Sequence, residues 1–143
     1  MDNTTYEDIY NAFLQKITDY KILELSDSDV KDLLYGYMKS AITQLPRFSS
    51  ILQDRDDDFE EFNSALSSTL IDAVSSLMVC EWVRPQLNSM LLTSQFIGAK
   101  EEKFYAQSSH ISELRKLKSD NENEVQRLLR NLQYVEFIQG SGV

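Results

Sequence analysis

The stretch from Leu70 to Leu117 most constrains the fold. A strongly apolar helical segment carries a proline in its middle and then passes into a second, highly charged helical segment. Its first part reads Leu70, Ile71, Ala73, Val74, Leu77, Met78, Val79, Cys80, Trp82 and Val83, followed past Pro85 by Leu87, Met90, Leu91, Leu92 and Phe96. Apolar positions recur every three or four residues but spill onto neighbouring faces, which predicts a helix surrounded by protein on most sides. Pro85 has no backbone donor and crowds the carbonyl of Glu81, so the reading expects a kink or an end near Arg84.

The rest of the chain suits a helical domain built around that segment. With 143 residues, 42% of them hydrophobic, it can bury a core of its own. Four glycines and two prolines are too few for an all-β fold rich in tight turns, and they leave no Gly-rich loop to cradle a phosphate. No apolar run approaches the roughly 20 residues of a membrane span, and the first ten residues lack the pattern of a signal peptide, so no membrane partner is expected. The expected class is all-α: a helical bundle with a proline-broken central helix, a long charged C-terminal helix and an extended C-terminal arm.

Thr4 or Thr5 can cap a first helix, with Glu7 or Asp8 completing a capping box and Ile9, Phe13 and Ile17 on one stripe. That helix should end near Asp19, with Tyr20 to Leu25 as a linker. Ser26 or Ser28 starts a second helix in which Val30, Leu33, Leu34, Tyr37, Met38, Ala41, Ile42 and Leu45 keep helical spacing until Pro46. Its inward face should pack on the central helix. Residues 47–66 are less regular, and Phe59 and Phe62 are expected to anchor a short helix or loop. Ser67 or Ser68 caps the central helix.

A long helix is expected from about Ala99 to Asn131, about 50 Å at 1.5 Å per residue. Phe104, Ile111, Leu114, Val125, Leu128 and Leu132 keep heptad-like spacing, with Lys118 and Asn121 in the seam. Two contact patches joined by a solvated middle, with a bend or break around Ser119 to Asn123, fit that pattern. Tyr134 to Ile138 are aromatic and β-branched before a Gly-Ser-Gly tail and read as an extended arm.

Catalytic machinery is hard to find. His110 is the single histidine, which excludes a histidine metal cluster and reads as a surface or interface side chain. Cys80 cannot form an internal disulfide and reads as a small buried hydrophobe. Asp54, Asp56 and Asp58 alternate as in a calcium loop, but Phe59 stands where the turn glycine belongs and Ala65 where the twelfth-position glutamate belongs. No metal, cofactor or catalytic residue is assigned. Charge is uneven: residues 1–72 hold 15 acids and 6 bases, residues 73–143 hold 8 of each. This acidic excess argues against gripping nucleic acid through its phosphates. The run Asp54, Asp56, Asp57, Asp58, Glu60 and Glu61 reads as a solvated or channel-facing acidic patch.

The segments EWVRPQLN, QFIGAKEEKFY and SSHISELRKLK carry the best part of a resemblance that extends from Tyr6 to about Leu132. In these the chain resembles the head-tail connector, or adaptor, proteins of tailed bacteriophages. The resemblance implies a structural virion protein that forms a ring between portal and tail. Its partners would be sister copies, the portal protein and a downstream neck or tail protein, with genomic DNA passing through, repelled and not bound. Residues 1–133 would then be one helical adaptor domain and 134–143 the arm. Tyr134, Val135, Phe137 and Ile138 of the arm, with Phe104 and Ile111 of the long helix, are the candidate oligomer or portal interface. The other reading of the same residues is a small cytosolic helical regulator or protein-binding module without catalytic activity.

Overall fold

The computed structural model describes the backbone of residues 2–17, 27–97 and 101–141 and, within these, the side chains of 2–17, 28–89 and 109–132. Five helices, α1 (Tyr6–Lys16), α2 (Asp27–Thr43), α3 (Ser49–Gln53), α4 (Ser68–Ile97) and α5 (Glu101–Ser141), form an all-α bundle. A 3₁₀ turn at Pro46–Phe48 precedes α3, and two short strands, β1 (Arg55–Asp56) and β2 (Glu61–Phe62), lie between α3 and α4.

The central helix is α4. Every residue from Ala73 to Cys80 is buried, so this part of the helix has no solvent face. Neighbours surround it: α1 and α2 pack against it, and α5 lies along it. From α1 come Ile9 and Phe13, and from α2 Met38, Ala41 and Ile42, each at most 2% exposed. Full burial of a side chain of this size contributes roughly 1.5–3 kcal/mol, so the stripes on α1 and α2 supply the driving force for docking these helices on α4. Thr5 opens α1 as its N-cap: its hydroxyl accepts from the Asp8 amide at 3.1 Å, while the Asp8 carboxylate accepts from the Thr5 amide at 3.0 Å. This is the reciprocal capping box the sequence predicts.

Thr4 does something the sequence did not suggest. Its carbonyl accepts from the Phe62 amide at 2.8 Å, its amide donates to the Ser64 carbonyl at 3.1 Å, and its hydroxyl accepts from the Leu66 amide at 2.8 Å. The chain entering α1 thus pairs with β2, through a bridge between Thr5 and Glu61, beside the antiparallel β1–β2 hairpin. Residues 55–62 are a hairpin and not the expected short helix or loop. Phe62 anchors it with no exposed surface, but Phe59, at 78% exposed, anchors nothing.

Three further expectations are corrected. Of the kink or end expected near Arg84, the end does not occur: α4 runs on through Pro85. Pro85 is exposed, so the Glu81 carbonyl deprived of its donor shares a face open to water. The side-chain amide of Gln86 donates to the neighbouring Trp82 carbonyl at 3.0 Å. Buried Val83 and Leu87 fix the helix on either side of the proline.

α5 is continuous through Ser119–Asn123. Between its two buried pairs the middle is partly open to solvent, as expected, with Leu117, Lys118 and Asn121 half-buried: Asn121 donates to the Leu117 carbonyl at 2.8 Å, and the Lys118 ammonium reaches out to Glu122. The thiol of Cys80 contacts the Lys118 carbonyl at 3.7 Å. With the polar side chains satisfied locally, Ile111, Leu114, Val125 and Leu128 are all buried along one line. Ile111 is therefore consumed inside the chain and is not a free interface side chain.

Finally, Tyr134 to Ile138 are helical, the last turns of α5 and not an extended arm. Extending an existing helix adds one hydrogen bond per residue fixed, and the penalty for aromatic and β-branched residues is at most about 0.7 kcal/mol each. The expected linker Tyr20 to Leu25 lies outside the described residues, as do the side chains of Phe104, Tyr134, Val135, Phe137 and Ile138.

Because Pro85 sits on an exposed face of an unbroken helix, Pro85→Ala should stabilise the chain, by up to about 3 kcal/mol. A rise in the urea midpoint at unchanged m-value is the expected result; a fall would mean that the proline shapes the packing of α4.

Candidate interaction site

Three elements that are remote in sequence meet at one end of the bundle. Tyr6 and Tyr10, one helical turn apart on α1, stand beside Lys31, Asp32 and Tyr35 of α2 and Asp57 and Glu60 of the hairpin turn, around a cavity of about 210 Å³. Tyr6 stacks on Tyr35 with ring centroids 5.9 Å apart and meets Phe62 edge-on at 5.4 Å. The ammonium of Lys39 lies 5.2 Å from the Tyr35 ring centre. Such a pair is worth about 0.5–1 kcal/mol at an exposed site.

The hairpin turn places the acids. Asp56 accepts from the amides of Asp58 and Phe59 at 2.9 and 3.2 Å, closing the turn, and Glu60 then adopts the left-handed conformation with φ of 54°. A non-glycine residue held there costs of order 1–3 kcal/mol. The Glu60 carbonyl accepting from the Tyr6 amide at 2.9 Å helps hold it. Asp57 accepts the Tyr6 hydroxyl at 2.5 Å, with Arg55 at 3.8 Å. The Tyr6 hydrogen bond, more than any other cause, holds the Asp57 carboxyl below the ordinary carboxylate value of 3.8. Burial, reinforced by Asp57, pushes the Tyr6 phenol well up.

The acidic run is accordingly several things at once. Asp54 is tied to Asn63 by its side chain at 2.8 Å, Asp56 closes the turn, and Glu61 lies in the small sheet. Asp57 and Glu60 line the cavity, and Asp58 is exposed. Among the described residues no group of His, Cys, Asp and Glu side chains could hold a metal ion. His110 is exposed, with Nδ1 3.9 Å from the Glu113 carboxylate one turn away.

A second concavity, of about 410 Å³, lies along the α4–α5 seam between Leu77, Cys80 and Arg84 on one side and Lys118, Glu122 and Val125 on the other. Its charges are paired: Arg84 with Glu81 at 3.1 Å, Lys118 with Glu122. Burial first, then Glu122, pushes the Cys80 thiol up to about 11, so at neutral pH it is a protonated, inert group.

The tyrosines of the first site were not among the residues singled out from sequence. The one signal available was Tyr6 beside Glu7, with Tyr10 and Tyr35 each three residues after an acid, Glu7 and Asp32, on two predicted helices. No family model, no curated protein and no solved structure matches this chain. Among the described residues, no helix is long and apolar enough to cross a membrane.

Two outcomes follow from this geometry. In Tyr6→Phe, loss of the phenol donor should raise the Asp57 pKa toward 3.8, read by carboxyl NMR. The sign for stability is fixed by the lowered folded value: the contribution of the pair is present above the unfolded pKa and fades as pH falls through the folded one, so Tyr6→Phe should flatten the acid limb. For Cys80, a thiol shifted from 9.0 to about 11 has about a hundredfold less thiolate. Disulfide exchange at mildly alkaline pH should be at least about that much slower in the folded chain than in denaturant.

Proposed function

We propose that this chain is a structural subunit of a tailed-phage neck, a head-tail connector that assembles as a ring between portal and tail and lets DNA pass. The resemblance of residues 6–132 to that family carries the reading, and the proportions of the bundle support it. α5, with 41 residues, is about 62 Å long, and α4, with 30, about 45 Å, whereas α2, with 17, spans about 26 Å and α1, with 11, about 17 Å. Helices that short flank only part of the α4–α5 hairpin. The remaining length suits contacts with neighbours, and head-to-tail contacts that close generate rings.

The surface charge fits a channel wall. Asp58 is exposed on the hairpin turn, with Asp57 and Glu60 beside it. Carboxylates at a lumen repel the passing duplex, whereas each lysine or arginine there would capture a phosphate. In this reading the last turns of α5, including Tyr134, Val135, Phe137 and Ile138, remain the docking segment for a sister copy or the portal, as a helix and not as a strand. The tyrosine-lined cavity is the observation that favours the alternative, a helical binding module acting on one protein partner.

Co-expression with the cognate portal protein followed by electron microscopy tests the proposal. A closed ring seated on the portal is expected, lost on deletion of residues 134–143. A strict twofold dimer, or no association with the portal, would overturn it. With the ring formed, reversing Asp57, Asp58 and Glu60 to lysine should slow DNA passage and leave ring assembly intact.

A further inference from the structure

At each extremity of the α4–α5 hairpin one helix outruns the element that covers it. The Cys80 thiol meets the Lys118 carbonyl at 3.7 Å, which sets how the antiparallel helices align. Counting outward one way, Ile97 comes level with Glu101 and the hairpin closes. Counting the other way, Ser68, the first residue of α4, comes level with Arg130, whereas α5 continues to Ser141. It therefore overhangs the start of α4 by about 11 residues, or about 16 Å. Val125, Leu128, Leu132 and Val135 keep a three-four-three spacing, so the stripe buried at Val125 and Leu128 runs on into the overhang. Glu136 is the single charged residue of 131–141.

At the opposite extremity α4 outruns α2. Gln44, just past the end of α2, donates to the Glu81 carboxylate at 2.8 Å. All-round burial stops near there: Arg84, Pro85, Asn88 and Ser89 are exposed, while Val83 and Leu87 stay buried. Met78, Trp82, Pro85, Ser89, Leu92 and Phe96 follow an alternating four-three spacing along α4, the seam pattern of paired helices. That seam is buried at Met78, half-buried at Trp82 and open to water at Pro85 and Ser89. Residues 86–97 carry no charge, unlike a helix face made for water.

We infer that the α5 overhang of one copy, residues 131–141, docks on the open α4 seam of a second copy, residues 85–97. Docked there, it extends past the end of α2 the cover that α4 has between Ala73 and Cys80. The two segments match in length, about 16 and 20 Å, and in their near absence of charge. With the docking helix at one extremity of the hairpin and its receiving face at the other, the contact is head-to-tail. Such contacts close into a ring or run on as a filament. The inference deepens the connector reading and rests on it, by naming the contact between sister copies.

The test compares the full chain with two variants: Leu92→Asp, which spoils the seam, and a chain ending at residue 133, which lacks the overhang. Light scattering should show the full chain self-associating and each variant at least about tenfold weaker in doing so, with helical circular dichroism unchanged. An equimolar mixture of the two variants should form one-to-one pairs, since one keeps the overhang and the other keeps the seam. A full chain that stays monomeric, or a mixture that behaves as its parts, would overturn the contact. Should Leu92→Asp not fold, Leu92→Cys and Val135→Cys chains decide: with Cys80 buried and inert, oxidation should link one to the other several times faster than either to itself. Equal rates would overturn the contact. Pairing of the variants without a ring on the portal would overturn the connector reading alone, and a ring without such pairing would overturn the contact alone.

Discussion

The burial of α4 on all sides between Ala73 and Cys80 governs the rest of the structure. A helix with no solvent face needs neighbours on every side, and the three that supply them are the amphipathic α1 and α2 and the long α5. Each brings a stripe of apolar side chains at helical spacing, and the close packing of such interiors makes the arrangement specific. The buried hydroxyls of Ser75 and Ser76 within this stretch are small enough to let neighbours approach. Ser75 donates to the Asp72 carbonyl at 3.1 Å, whereas the Ser76 oxygen has no partner.

Docking α1 and α2 on one side of α4 creates the interaction site as a by-product. The inward stripe of α1, Ile9 and Phe13, fixes its rotation, and that rotation carries Tyr6 and Tyr10 to the face where α2 presents Asp32 and Tyr35. The hairpin closes the third side because Thr4 and Thr5 pair with it just before α1 begins. One strand-like entry thus ties the start of α1 to the turn that places Asp57 and Glu60. The pocket is held by backbone hydrogen bonds as well as by packing.

α5 contributes in another way. Its contact with α4 tolerates Lys118 and Asn121 in the seam because a long cationic side chain can extend to solvent and an asparagine can bond back along its own helix. The polar seam leaves the α4–α5 face with paired charges, Arg84 with Glu81 and Lys118 with Glu122.

Local periodicity and end signals in the sequence determined the helical class, a threonine cap at the start of α1, the stripe along α2 and the all-round burial of α4 between Ala73 and Cys80, because these depend on residues within one or two turns of each other. Tertiary contacts decided what such patterns leave open. Whether Pro85 ends its helix depends on its being at the surface, with Val83 and Leu87 clamped beside it. Whether α5 stays continuous past its polar middle depends on the burial of Ile111, Leu114, Val125 and Leu128 on either side of it once α5 lies along α4. The hairpin escaped the sequence reading because each strand has only two residues and its pairing partner, Thr4, lies far away in the chain. The pocket escaped for the same reason: Tyr10, Asp32 and Glu60 belong to three patterns, and only the packing of α1 and α2 on α4 turns them toward one another.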